Sequence, residues 1–182
     1  AMKHVAPVRN QLGFRTIFNL LGPLSNPAQV KRQLIGVFSP DWIETLAHVL
    51  KELGSQKAWL VHGADGLDEL TTTAATHVAV LDRDAVSRRE VTPEEIAVAR
   101  VPLSALKGGD AKENATALLR LLAGERGAFR DIVLLNAAAA LVVADKVNDL
   151  KAGALMAAEA IDTGAAGRVL SRVAALSQKE AA

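Results

Sequence analysis

The chain has 182 residues, half of them hydrophobic, with a formal net charge of +1 and no cysteine. This length favours one well-packed core over two domains, and the near-zero charge gives no reason to expect nucleic acid as a partner. The absence of cysteine excludes disulfides, thiolate metal sites and a cysteine nucleophile, and it suits a cytoplasmic location. No apolar stretch approaches the ~20 residues of a membrane-spanning helix, so no membrane partner is expected.

Residues 1–29 are predicted to form a short helix and then a loop. Ile17, Leu20 and Leu21 share one side of this helix. The stretch 22–27, with Pro23 and Pro27, is expected to end it, because proline disfavours helical conformation in the residue before it. The N-terminus lacks the apolar core of a secretory signal. Since Met2 follows Ala1 and motif-rich sequence comes directly afterwards, we expect the chain to be part of a longer protein.

Three short apolar runs, at residues 34–38, 58–62 and 78–81, predict buried strands. Between the first two, Ser39 is the expected N-cap of a helix and Gly54 its end. A strand, a helix and a strand over this length predict a right-handed βαβ unit on a parallel sheet. The fold class is therefore α/β, a mainly parallel sheet flanked by helices, and the polar stretch 83–92 could supply a further strand.

The second half of the chain is predicted to be mostly helical. A short helix is expected to open at Thr92, and longer ones at about residues 111–123, 130–145, 150–163 and 165–178. Alanine is abundant in the last three, where it permits close helix–helix approach and favours the helix. We expect these helices to pack on the sheet and residues 1–182 to form a single α/β domain.

Asp68 and Glu69 are the first candidates for chemistry. They follow the second predicted strand in a loop that contains Gly63 and Gly66, and open α/β sheets place their ligand sites after the carboxyl ends of strands. Adjacent carboxylates suit Mg²⁺, a hard cation that takes its remaining ligands from water and substrate phosphate. From the residues alone, a solvated acidic turn without any ligand is the simpler interpretation, because exposed Asp-Glu pairs are common.

Two further segments could contact a ligand. Arg9, in a basic stretch that begins at Lys3, could bind a carboxylate through two parallel hydrogen bonds, although a surface cluster of basic side chains is the simpler interpretation. Gly22 and Pro23 offer a flat apolar wall with close access to the backbone, or merely a turn.

Other motifs favour structural roles. Gly108 and Gly109 precede a helix, as in some phosphate sites, but Asp110 would repel phosphate and makes a good N-cap. The histidines show no metal-ligand spacing, and we expect them to be structural: His4, His48, His62 and His77.

Several strings together resemble the anthranilate phosphoribosyltransferase family, in its order and spacing across nearly the whole chain. They are residues 1–9, 15–27, 61–63, 66–69, 108–111 with Asn114, and 134–141. The resemblance implies the fold of a helical N-terminal domain hinged to a larger α/β domain, shared with pyrimidine nucleoside phosphorylases. This chain resembles roughly the second half of that fold.

The resemblance also implies an activity and a set of site residues. The activity is transfer of the phosphoribosyl group from phosphoribosyl pyrophosphate to the amine of anthranilate, in tryptophan biosynthesis. Arg9 matches the arginine that contacts anthranilate, Ala6, Gly22 and Pro23 match positions that line the anthranilate channel, and Asp68 and Glu69 match the pair that holds Mg²⁺ on the pyrophosphate. The family's phosphate loop lies upstream of Ala1, so we expect this chain alone to show no turnover. The intact enzyme is expected to be a homodimer.

Two alternatives remain. A pyrimidine nucleoside phosphorylase-like enzyme would share the fold, but residues 3–9 argue against it. A non-catalytic homologue that binds nucleic acid would need a basic surface, whereas this chain has a net charge of +1 and retains Asp68 and Glu69.

Overall fold

The protein is an α/β structure built on one four-stranded sheet; the structure, a computed structural model, describes residue 11 and residues 18–179. In chain order the elements are α1 (Phe18–Leu24), β1 (Arg32–Gly36), α2 (Ile43–Glu52), β2 (Lys57–Gly63), β3 (Thr76–Asp82), β4 (Ala85–Val91), α3 (Ala111–Leu122), α4 (Ala128–Val143), α5 (Leu150–Asp162) and α6 (Ala165–Lys179). Short 3₁₀ helices lie at Pro40–Trp42, Pro93–Ile96 and Leu103–Leu106.

The strands lie in the order β1-β2-β3-β4, and their directions are mixed. β1 and β2 are parallel and are joined through α2, as the βαβ pattern predicts, whereas β3 and β4 each run antiparallel to the preceding strand. The α/β class is therefore confirmed, but the expectation of a mainly parallel sheet is wrong for the described strands. The reason lies in the connections: a parallel return needs a crossover, usually a helix, and residues 64–75 contain no helix.

Two apolar clusters cover the two faces of the sheet. Side chains alternate along β2, so Ala58 and Leu60 point to one face and Trp59 and Val61 to the other. The cluster on the first face is completed mainly by α2, through Ile43, Leu46, Ala47 and Leu50. The cluster on the second face is completed mainly by α4, through Leu135, Ala138, Ala139, Val142 and Val143.

The helices after the sheet are stacked outwards. α4 packs on β1 and β2, α5 packs on α4, and α6 packs on α5 and α3. The helices are confirmed close to their predicted bounds, and the helical tail packs on the sheet as expected, mainly through α4. Within residues 18–179, none of the helices is long and apolar enough to span a membrane.

The ends of the first helices show where turn residues decide the structure. Ser39 caps the 3₁₀ turn that leads into α2, with its hydroxyl accepting from the Asp41 backbone N–H, and Gly54 adopts a φ of +80° after α2, both as predicted. α1 ends at Leu24, within the stretch 22–27 that the sequence predicts as its end, although Pro23 itself lies inside the helix. Its fixed φ suits helical backbone, but Pro23 has no N–H to donate to the carbonyl four residues earlier, and the helix ends one residue later, at Leu24.

Candidate functional site

The acidic pair lies at one edge of the sheet, on the loop formed by residues 64–75, which we call the acidic loop. β1 and β2 are parallel, so both end at this edge, at Gly36 and Gly63. β3 starts at the same edge, with Thr76 paired to Gly63. Asp68 and Glu69 therefore follow the carboxyl ends of two parallel strands, the position where open α/β sheets bind ligands.

Asp65 organises the first half of the acidic loop. Its carboxylate accepts hydrogen bonds from the backbone N–H of Leu67 at 3.1 Å, from the Thr71 hydroxyl at 2.6 Å and from the Thr73 hydroxyl. Partial burial alone would raise the pKa of Asp65, but these hydrogen bonds stabilise the ionised form and leave the pKa below its usual value. The Asp65 carboxylate is thus committed to holding the loop.

Gly36, at the end of β1, lets the acidic loop lie directly against the strand. A Cβ built on Gly36 would be 1.6 Å from the carbonyl oxygen of Asp68 and 2.7 Å from its carbonyl carbon. Gly63 has a similar role at the end of β2, where a Cβ would be 2.4 Å from Asp65 Oδ1. Both glycines are therefore required by close approach of the loop, and not by an unusual backbone conformation.

Asn136, on α4, holds the backbone of Leu70, the residue that follows the acidic pair. Its Oδ1 accepts from the backbone N–H of Leu70 at 3.0 Å, while its Nδ2 donates to the Leu70 carbonyl at 2.8 Å and to the Ile132 carbonyl at 3.0 Å. Leu70 directly follows Glu69 and is fully buried in the cluster that α4 shares with the sheet. The loop is thereby fixed to a helix on one side and to β1 on the other.

The two carboxylates of the pair point into different surroundings. Both residues are exposed. Glu69 also lines a largely apolar cavity of about 590 Å³ together with Leu67, Phe129 and Ile132. Loss of hydration in this setting raises the pKa of Glu69, and the negative charges of Asp68 and Asp65 raise it further. The three carboxylates therefore create a local negative field that favours a bound cation.

The donor set fits a cation that is shared with a ligand. Among residues 18–179, no group of three or more acidic, histidine or cysteine side chains is placed to enclose a metal ion. Mg²⁺ is commonly bound by one or two carboxylates, with waters and substrate phosphates as the remaining ligands. Asp68 and Glu69 match that mode, since both are exposed and neither carboxylate is engaged in a hydrogen bond within the described chain.

The predicted substrate-binding residues are only partly visible. Ala6 and Arg9 lie outside the described residues. Gly22 is exposed and Pro23 half-buried on α1, a helix that packs through Leu20 and Leu24 against the α2-side cluster. A Cβ on Gly22 would meet no other described atom within 4 Å. The channel-lining role of Gly22 and Pro23 therefore stays a prediction.

Two structural interpretations made from the sequence are consistent with the geometry. Asp110 caps α3, with its carboxylate accepting from Glu113 N–H at 2.8 Å, and a Cβ on Gly109 would be 1.8 Å from Glu113 Oε2. The glycines thus make room for a capping box. His62 is buried with Nδ1 2.7 Å from the carbonyl oxygen of Val37, as expected of a structural histidine. His4 lies outside the described residues.

Sequence reasoning did not identify Gly36, Asp65 or Asn136 as part of the site. Each carried a weak signal: a glycine inside an apolar strand indicates close backbone approach, and Asn136 interrupts the otherwise apolar run 132–144. Asp65 precedes three consecutive threonines at 71–73, which can supply hydroxyl donors. None of these signals specifies its partner without the fold.

The family comparison defines the class of protein. The chain belongs to the family described as "Glycosyl transferase family, a/b domain", which matches residues 1–167. Within that class the similar proteins are anthranilate phosphoribosyltransferases. The one from Brucella suis biovar 1 (strain 1330) is 59% identical over all 182 residues, and these cover 53% of its length. The chain thus spans about half the length of the curated relatives that it matches.

Solved structures give the same result. Anthranilate phosphoribosyltransferase from Thermus thermophilus superposes with a TM-score of 0.84 at 44% identity, over 94% of this chain and 50% of that one. The Saccharomyces cerevisiae enzyme in complex with PRPP and Mg gives a TM-score of 0.85 at 29% identity, over 93% of this chain and 49% of that one. The same enzyme in complex with 4-fluoroanthranilate gives 0.84 at 28% identity, over 93% and 50%.

Proposed function

We propose that the natural polypeptide containing this chain is an anthranilate phosphoribosyltransferase of tryptophan biosynthesis. The observation that carries the proposal is the 59% identity to such an enzyme across every residue of the chain. The position of the acidic pair supports it, since the pair lies at the ligand-binding edge of the sheet and is fixed by contacts from β1 and α4. The 182 residues would supply about half of the enzyme.

The reaction is a displacement at the anomeric carbon of the ribose. The amine nitrogen of anthranilate forms the new bond, the bond to pyrophosphate breaks with its electron pair leaving on oxygen, and the amine loses a proton to solvent. An aromatic amine is already nucleophilic, so positioning and charge neutralisation on the leaving group carry most of the catalysis. Mg²⁺ bound to the pyrophosphate supplies that neutralisation.

The residues of this chain would bind and orient the reactants. Asp68 and Glu69 would hold Mg²⁺, and the exposure of both carboxylates leaves room for a cation shared with phosphate. Arg9 would bind the anthranilate carboxylate with two hydrogen bonds, and Ala6, Gly22 and Pro23 would line the channel for its ring.

We further propose a cytoplasmic homodimer of the intact enzyme, with residues 1–182 as part of one α/β domain. No nucleic-acid or membrane partner is part of the proposal. A net charge of +1 gives no electrostatic basis for binding a polyanion.

A reciprocal pair of variants tests the assignment in the natural polypeptide. Asp68→Asn combined with Glu69→Gln should raise the Mg²⁺ concentration needed for half-maximal activity and leave the KM for anthranilate close to normal. Arg9→Ala should raise the KM for anthranilate and leave the Mg²⁺ requirement close to normal. Initial rates follow from the loss of anthranilate fluorescence. An unchanged Mg²⁺ requirement in the double variant would refute the metal assignment, and a normal anthranilate KM in Arg9→Ala would refute the carboxylate assignment.

A further inference from the structure

Asn136 is a polar residue in the part of α4 that packs against the sheet. Its neighbours Leu135 and Ala138 are fully buried in the core cluster. Its amide group forms hydrogen bonds with both backbone groups of Leu70, at 3.0 Å and 2.8 Å, across 66 residues of sequence. A third bond, to Ile132 one turn earlier on α4, fixes the rotamer of the side chain itself.

These bonds act on the backbone of the acidic pair. The N–H of Leu70 belongs to the planar peptide unit that joins Glu69 to Leu70. Fixing the direction of this N–H therefore restricts the orientation of that peptide plane, which is one of the two peptide units that flank the Cα of Glu69. The apolar side chain of Leu70 anchors the position of the segment, but it cannot set the rotation of the peptide; Asn136 does so.

The other anchors of the acidic loop act at different residues. Asp65 binds the N–H of Leu67, and Gly36 contacts the backbone of Asp68. Asn136 acts immediately after Glu69, on the helix whose Phe129 and Ile132 line the same cavity as Glu69. The acidic pair is thus held on one side by Asp65 and Gly36, and on the other by the side-chain amide of Asn136.

The geometry points to Asn136 as a positioning residue for the divalent cation held by Asp68 and Glu69, an inference that rests on the proposed function. Asn136 does not touch the cation. Partners that orient metal ligands typically change metal affinity by about 10- to 100-fold when they are removed. We expect a loss of about tenfold for Asn136, because the Gly36 and Asp65 contacts remain in place.

The test uses Mn²⁺ alone as the probe, titrated into the natural polypeptide, with the free ion measured by electron paramagnetic resonance. Asn136→Leu keeps the number and branching of the side-chain heavy atoms and removes all three hydrogen bonds. Val143→Ala, two turns further along α4 and 3% exposed, is the matched control because it weakens the same core and removes no hydrogen bond of the acidic loop. We expect both variants to lower Tm, but only Asn136→Leu to raise the Kd for Mn²⁺.

The Asp68→Asn, Glu69→Gln double variant separates the two proposals. If it binds Mn²⁺ normally, the metal assignment within the proposed function is wrong. If it binds weakly while Asn136→Leu binds normally, only the role of Asn136 is wrong. Equal weakening by Val143→Ala and Asn136→Leu would also overturn that role, since general destabilisation would then explain the loss. In activity assays, Asn136→Leu should raise the Mg²⁺ requirement and spare the KM for anthranilate.

Discussion

At the scale of single residues, the placement of the acidic pair depends on the missing side chain of Gly36. A Cβ there would be 1.6 Å from the Asp68 carbonyl oxygen, so Gly36→Ala must displace the acidic loop or the end of β1. We expect a loss of about 1–3 kcal/mol in the free energy of unfolding, the usual cost of overpacking, together with weaker Mn²⁺ binding. Urea denaturation and Mn²⁺ titration measure the two effects.

Gly22→Ala is the control for that change. A Cβ on Gly22 would meet no other described atom within 4 Å, and alanine favours the helix by up to ~1 kcal/mol over glycine. Stability should therefore hold or rise, and Mn²⁺ binding should not change. If Gly36→Ala behaved like this control, the contact between Gly36 and Asp68 would not position the loop.

Residue types indicated candidate ligands in the sequence, but they did not indicate the residues that hold those candidates in place. Asp68 and Glu69 stand out in the sequence because two adjacent carboxylates have an evident chemistry. The bond between Asn136 and Leu70 joins residues 66 positions apart, and the bond exists only because α4 packs over the carboxyl edge of β2. Polar partners separated by this much sequence follow from tertiary packing, which a local pattern does not contain.

At the scale of elements, α4 and α5 approach unusually closely, and Gly153 makes this possible. A Cβ on Gly153 would be 2.8 Å from the Cα of Ala138 and 2.9 Å from its carbonyl oxygen. We expect Gly153→Ala to destabilise the protein by about 1–3 kcal/mol through overpacking, although alanine is the better helix former by ~1 kcal/mol. Thermal or urea denaturation shows whether Gly153→Ala lowers or raises the stability. An increase in stability would show that α4 and α5 can move apart without cost.

The end of α4 is joined to the start of β1 and β2 by Asp145. Its carboxylate pairs with Lys57 at 2.5 Å and with Arg32, and hydrogen bonds from these two side chains lower the pKa of Asp145 to about 2. A lowered pKa means that the ionised carboxylate stabilises the fold above the unfolded-state pKa of ~3.9, and that this stabilisation is lost as the pH falls through about 2.

Asp145→Asn should therefore lower the denaturation midpoint at pH 7, and the difference from the unmodified protein should shrink as the pH falls below about 4. Asparagine tolerates the positive φ of 55° at this position, so the backbone is preserved. Urea denaturation over a pH series gives the result. High salt should also narrow the difference because the pair is exposed; a difference independent of pH and salt would indicate a cause other than the ion pair.

Periodicity located the elements but did not give the direction of the strands. Apolar runs and caps predicted β1, β2 and β3 and the helices close to their observed positions. The direction of β3 depends on residues 64–75, whose acidic, threonine-rich sequence folds back on itself through the contacts of Asp65 and contains no crossover helix. The wrong expectation about the sheet thus has the same origin as the site: the connection between β2 and β3 is the acidic loop.

At the scale of the whole molecule, we expect the 182 residues to retain cation binding by the acidic pair but not catalytic turnover. The contacts that hold the acidic pair, from Gly36, Asp65 and Asn136, all lie within these 182 residues. The chain nevertheless spans only 53% of the Brucella suis relative, and the resemblance to the family assigns the phosphate loop to the other part. Two carboxylates can retain a cation without that loop, but they do not bind and orient both substrates.

Tested alone, the 182-residue chain should bind Mn²⁺ through Asp68 and Glu69, yet cause no loss of anthranilate fluorescence with phosphoribosyl pyrophosphate and Mg²⁺. Circular dichroism first establishes that the chain is folded, and the Asp68→Asn, Glu69→Gln variant serves as the control for Mn²⁺ binding. Loss of fluorescence would show that the chain itself binds the phosphates of the substrate, and the division of the active site between two parts of the enzyme would be wrong. A folded chain without Mn²⁺ binding would show that the acidic pair needs the phosphate loop even to hold the cation.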